Sequence, residues 1–331
     1  MKNKLSHLLL FLLLTATACT NEIGLMPDNE PSKLIVNALL SADGSRNRIH
    51  LHRSGWTEAT PVTDGIIRIY INDVLTETIT AHPATEEDDK VFYEVKSHFQ
   101  TGDKVRLEAS AENGALRAEA ETIVEAPILL LQLDTLGIKE NGSWGGYSTK
   151  LQLKMDLKSP TTKERKHFRL EVKRVCIMQI TNVETQVDST YINHGAGFDG
   201  SKDVALTDGQ PSNSNSDSGI ELFPPWTNHF GIFNDAFFKE GCYTMTVLTN
   251  YPSNYIFSPQ EYTVNSWASY IDLQIVAISA QEYQYLKAIS LYADTDNSSP
   301  LETPVIIPNH IKYGIGIFAI ENSVNHRILV E

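Results

Sequence analysis

KVRLEASAENGALRAEAETIV, residues 104–124, decides the fold class. Lys104–Ala109 and Leu116–Val124 read as strands. Asn113-Gly114 between them is the strongest short hairpin signal, because a tight hairpin turn needs positive φ at its centre and these residues accept it. Outward from this stretch the same text repeats. Asp64-Gly65 marks a turn, and Ile66–Ile71 (IIRIYI), Asn72-Asp73 and Val74–Thr80 read as a second hairpin. Lys33–Leu40 (KLIVNALL), Arg48–His52 and Val91–Val95 (VFYEV) add further strands. Seven short strands in about ninety residues, with no helical stripe, predict a β-sandwich of immunoglobulin or transthyretin type over 33–126.

Pro127 follows Glu125-Ala126 and cannot continue a ladder, so a second β-rich domain is expected over 127–331. Ile128–Leu133, Lys150–Leu157 (KLQLKMDL), Phe168–Val172 (FRLEV), Tyr243–Leu248 and Ile271–Ile278 read as its strands. Pro304–Pro308, Ile315–Phe318 and Arg327–Val330 are expected to close it as three more. One amphipathic helix is predicted over 280–293. Ser279-Ala280-Gln281-Glu282 fits a capping box, and Tyr283, Leu286, Ile289 and Ala293 follow at helical spacing. A long Gly/Ser/Asn/Asp-rich loop, 194–228, contains SNSNSDS at 212–218. It offers few apolar residues for burial, so folding alone does not explain it, and function is expected there.

The ends and the composition bound the class. Lys2 and Lys4, the apolar run Leu8–Leu14 and the small residues Thr15–Ala18 precede Cys19. A spanning helix needs about 20 apolar residues, so this run reads as a signal segment over 1–18. Small residues ahead of a Cys resemble a bacterial lipobox, which implies lipidation of Cys19, with 19–32 as a tether. Formal net charge is −14, from 27 basic and 41 acidic residues, which speaks against a general nucleic-acid binder. Three Cys are too few for a Cys-rich zinc module. Cys176 and Cys242 are either bonded, as an exported location allows, or two free thiols.

Few residues announce chemistry. His50 and His52 are two apart on a strand and so share a face, but no third metal ligand is identifiable. Asp294, Asp296 and Asn297 start like a calcium loop, yet Ser299 and Val305 stand where its Gly and Glu belong. Glu86–Asp89 is a solvated acidic run. No nucleophile elbow, zinc helix or phosphate loop is present, and no catalytic group, metal or cofactor is assigned. Trp144 and Trp226 sit beside Gly or Pro in loop text and are the candidate ligand contacts.

Three phrases carry a resemblance: Phe233–Phe238 with Tyr243–Val247; Asp272–Ile275 with Ser279–Leu286; and Glu302–Val305 with Asn309 and Gly314–Phe318. With Pro61–Gly65 and Ala126-Pro127, and a lipobox in front, the chain resembles the domain of unknown function 4249 family of Bacteroidota outer-membrane lipoproteins. That resemblance implies an outer-membrane location through the lipid anchor and a TonB-dependent transporter as partner. It implies no catalytic residue. Asp134-Thr135-Leu136 and Asp188-Ser189-Thr190 also resemble the short O-glycosylation acceptor of such exported proteins. The expected function is therefore a non-enzymatic surface lipoprotein that binds a ligand or serves a transporter. A hydrolase with a dispersed carboxylate site and an adhesive surface protein are the rival readings.

Overall fold

The computed structural model describes residues 31–44, 47–55, 58–82, 91–141, 147–160, 163–209, 227–253, 260–294 and 305–330. The first part of the chain forms β1 (Leu34–Ser41), β2 (Asn47–Arg53), β3 (Thr60–Pro61), β4 (Ile66–Ile71), β5 (Val74–Thr80), β6 (Tyr93–Val95), β7 (Lys104–Ala111) and β8 (Leu116–Ile123). Both expected hairpins form. Asn72 and Asp73 have φ of 51° and 66° and turn β4 into β5, the left-handed pair that suits the strand twist. Between β7 and β8 the turn is longer, a 3-10 turn over Glu112–Gly114 with Asn113 at φ 55°.

The rest forms β9 (Leu129–Asn141), β10 (Tyr147–Lys158), β11 (His167–Asn182), β12 (Asp188–Ala196), β13 (Ile232–Asn234), β14 (Cys242–Asn250), β15 (Tyr262–Ile278), helix α1 (Ala280–Asp294) and β16 (Gly314–Leu329). The described part of 304–308 carries no regular structure. The strand expected there is absent, and Pro308 could not have donated to a ladder.

One long sheet organises everything. Its order is β12-β11-β15-β16-β1-β2-β3, with β13 beside β11 and β6 beside β2. The sheet β5-β4-β7-β8 packs on one end of it around a core that includes Val36, Ile49, Ile67, Leu107 and Phe318. The sheet β14-β10-β9 packs on the other end around Leu153, Phe168, Val247 and Ile275. Two sandwiches thus share one wall, and β16 is the join. Its first half runs parallel to β1, Leu34↔Gly314 through Ser41↔Glu321. Its second half runs antiparallel to β15, from Ala277↔Asn322 to Tyr270↔Leu329. The two apolar phrases expected as separate strands are one 16-residue strand.

The entry to β16 is tightly specified. Asn309 donates through Nδ2 to the carbonyls of Ile311 (3.2 Å) and Gly314 (3.0 Å). Its Oδ1 accepts from the N–H groups of Ile311 and Gly316, both at 3.2 Å. Gly316 has φ +120°, and a side chain there would run into the Val36 carbonyl. Only glycine lets β16 lie this close to β1.

Helix α1 begins where expected, and Ser279 Oγ accepts the Glu282 N–H at 3.1 Å. The second half of the capping box is a correction. The Glu282 carboxyl does not stand at the exposed helix start; it is fully buried. The buried residues are Glu282, Tyr283, Leu286, Ala288 and Ser290, while Ile289 is half-buried and Ala293 exposed. Tyr283 and Leu286 close a small core with Ile232, Val276 and Ile278, on the sheet face opposite the β14-β10-β9 layer.

Candidate functional site

A break in strand pairing creates a cavity. Along one edge of β11, β13 pairs with residues 167–169 and β12 with residues 173–181. Leu170–Val172 lie between the two. There the chain segments 196–201 and 227–231 close over the edge and leave a cavity of about 650 Å³. That volume is within the range of small-molecule sites. Leu170 N–H donates to the Gly231 carbonyl (2.9 Å), and Gly197 N–H donates to the Val172 carbonyl (3.0 Å). Gly231 has φ +65°, and a side chain on it would strike the Leu170 carbonyl and press on the Phe198 ring. Phe198, Leu206 and Phe230 form the apolar lining.

The cavity wall is pinned from behind. Asp203 is buried, and its carboxylate accepts from Ala205 N–H (3.0 Å), Thr246 N–H (3.0 Å) and the Tyr243 hydroxyl (2.9 Å). Burial and then the Asp203 carboxylate push the Tyr243 hydroxyl well above its usual range. Asp199 and Leu248 exchange backbone hydrogen bonds of 2.7 and 3.0 Å. Asn228 ties the carbonyls of Leu206 and Ile232 together through Nδ2, at 2.8 and 2.7 Å. The expectation that 194–228 contributes few buried contacts is therefore corrected for its first part. His194–Ala196 belong to β12, Asp203, Ala205 and Leu206 are buried, and Leu206 joins the second core. Ala205-Leu206 is the apolar pair inside polar text that anchors the turn. Residues 210–226 lie outside the described residues.

Charge surrounds the mouth. Arg169, Glu171 and Lys173 alternate on β11 and face away from the second core. Glu171 reaches both neighbours, at 3.1 Å from Arg169 and 3.2 Å from Lys173. Arg169 also contacts Glu321 at 2.7 Å. Behind Arg169 sits Glu282, whose carboxyl burial, and then the Glu321 carboxylate, hold well above the usual range; Arg169 opposes them. Burial disfavours the charge of Asp199. Its hydrogen bonds from Ser201, together with Lys150 and Lys202, outweigh that and hold the carboxyl below its usual range. A second hollow of about 260 Å³ adjoins the first, shares Ala196–Asp199 with it, and adds Lys150 and Arg174.

The residues expected to matter fall unevenly around this site. Trp144, Trp226 and Cys19 lie outside the described residues, as do Glu86–Asp89, Asp296 and Asn297. Cys176 and Cys242 are both free. Cys176 is fully buried in β11 between Asn193 and Ser269, whereas Cys242 is exposed at the start of β14 in the opposite sheet, so no disulfide joins them. His50 and His52 share a face of β2, with His50 Nδ1 at 3.1 Å from the Val91 carbonyl. Burial, and then His50, lower the His52 pKa. Among the described residues no three His, Cys, Asp or Glu form a group fit to hold a metal. Thr135 and Ser189 are exposed on strands. Sequence reasoning missed Arg169, Asp203 and the burial of Glu282. For Arg169 a signal existed, since the alternation of FRLEV puts Arg169 and Glu171 on the face opposite Phe168 and Leu170.

The chain belongs to the domain of unknown function 4249 family, whose profile matches residues 21–327. No curated protein matches it.

Proposed function

We propose that this member of the family is a non-enzymatic lipoprotein of the outer membrane. It is held by lipid on Cys19, binds a small molecule, and serves a TonB-dependent transporter. The observation that carries the ligand-binding reading is the cavity at the β11 edge, with a wall fixed by Asp203 and Asn228 rather than filled by side chains. A concave, largely apolar chamber with a few converging polar groups is what a small-molecule site requires. Its two acidic side chains are engaged in ways that suit binding. Glu171 is bridged by Arg169 and Lys173, and the lowered pKa of Asp199 keeps it from acting as a proton donor near neutral pH. The anchor reading rests on the small residues ahead of Cys19, which resemble a lipobox; no helix among the described residues is long and apolar enough to cross a membrane. The transporter role rests on the family resemblance.

The test is purification of the full-length protein from detergent-solubilised outer membrane. Native mass spectrometry should find a small molecule retained on it, and a transporter should co-purify. Ser201→Trp, which places a ring at the cavity mouth, should lose the small molecule and keep its melting midpoint. A wild-type protein that retains nothing, or a variant that retains the same molecule, would overturn the reading.

A further inference from the structure

The lining of the two adjoining hollows runs against the charge of the whole chain. Net charge is −14, yet the hollows gather Arg169, Lys173, Arg174 and Lys150 against Glu171 and Asp199. Most of these charges are satisfied by contact. Glu171 lies between Arg169 and Lys173, Arg169 also holds Glu321, and the Asp199 carboxylate accepts the Ser201 N–H at 2.9 Å. Two cations stand outside these ion pairs, although Lys150 is near enough to Asp199 to help hold its carboxyl below the usual range. Arg174 gives one bond, from Nη2 to the Ala196 carbonyl at 3.0 Å. Neither Arg174 nor Lys150 joins an ion pair among the described residues, and both are half-buried.

Two half-buried like charges in one hollow repel and have lost part of their hydration. An anion between them relieves both costs, and a half-dry site makes its contacts stronger than they would be in water. The guanidinium offers a planar fork to an acidic group, and the ammonium adds a point charge. Phe198 and Asp199 line both hollows, so a molecule that passes from one to the other crosses the Phe198 ring. Asp199 opposes an anion here, but its carboxylate is turned to its own Ser201.

We infer that the smaller hollow takes the acidic group of an amphipathic organic anion, a carboxylate, sulfonate or phosphate, through Arg174 and Lys150. The apolar body of that molecule lies in the larger cavity against Phe198 and Leu206. This inference rests on the ligand-binding reading of the cavity.

A matched pair of fluorescent probes separates the two ideas. Anilinonaphthalene sulfonate and phenylnaphthylamine share one aromatic body, and only the first is an anion. The wild-type protein should bind the sulfonate about tenfold more tightly, the effect of one good charge-assisted contact. Combining Arg174→Gln with Lys150→Gln should remove that advantage and leave the amine's affinity unchanged. Raising the salt should weaken the sulfonate alone. Ser201→Trp should weaken both probes. Equal wild-type affinities, or a sulfonate advantage that survives the double change, would overturn the anion assignment while the cavity reading stands. If neither probe binds, or if Ser201→Trp affects neither, the cavity reading itself fails and takes this inference with it.

Discussion

Glu282→Gln should make the protein's stability less dependent on pH. The wild-type carboxyl is fully buried, and none of the described residues offers an N–H to either oxygen. Burial and the neighbouring Glu321 therefore keep it protonated in the folded chain at pH values where the unfolded chain has released that proton. Below the unfolded value of 4.5 both states carry the proton, and this group adds no pH dependence. Above it only the folded state does, so stability falls by about 1.4 kcal/mol per pH unit until the folded-state pKa is passed. Gln keeps the shape and a donor for Glu321 but has no proton to lose. At pH 4.5 and below, the variant should lie within about 1 kcal/mol of wild type, the net worth of one exchanged hydrogen bond. As the pH rises it should overtake wild type by the slope just given. Urea unfolding of both proteins at successive pH values measures this. Groups common to both, such as His167 with its pKa lowered mainly by burial, cancel in the difference. A difference that stays flat with pH, or one that increasingly favours wild type as pH rises, would refute the buried-acid account.

Gly316→Ala should cost about 3 kcal/mol, since the new Cβ meets the Val36 carbonyl at a φ that L residues avoid. Because β16 serves both sandwiches, the loss should appear in one shared unfolding transition, followed by near-UV and far-UV signals together. Asp203→Ala should cost about 3 kcal/mol by leaving the Thr246 N–H and the Tyr243 hydroxyl without their buried acceptor. Hydrogen exchange should then speed up across 199–207 more than across β15. Cys19→Ala should move the protein out of the membrane fraction, and an unchanged fraction would refute the lipid anchor. A chelator should leave the melting midpoint where it was, since no described residues form a ligand set.

What the sequence shows and what it hides divide by distance along the chain. The β4–β5 and β7–β8 hairpins and the start of α1 depend on residues within a few positions of one another, such as Asn72-Asp73 or Ser279 with the Glu282 N–H. The β1–β16 pairing joins Leu34 to Gly314, and no local period encodes such a partner or its parallel sense. The site is hidden for the same reason. Its cavity exists because β12 ends at Ala196 and β13 begins only at Ile232, two ends far apart in sequence that face one strand. Loop composition did point to 194–228, but through its polar residues, whereas the part that builds the wall is held by the buried Asp203 and Leu206. Glu282 shows the limit most sharply. Ser279-x-x-Glu282 reads the same whether the carboxyl reaches back to the helix start or turns inward. In the folded chain the carboxyl is buried beside Glu321 and Arg169, which come from β16 and β11 and meet it only after folding. An acid placed by three distant elements is tuned by all of them. Arg169, at 2.7 Å from Glu321 and on the cavity wall, ties the buried acid of α1 to the strand that lines the cavity.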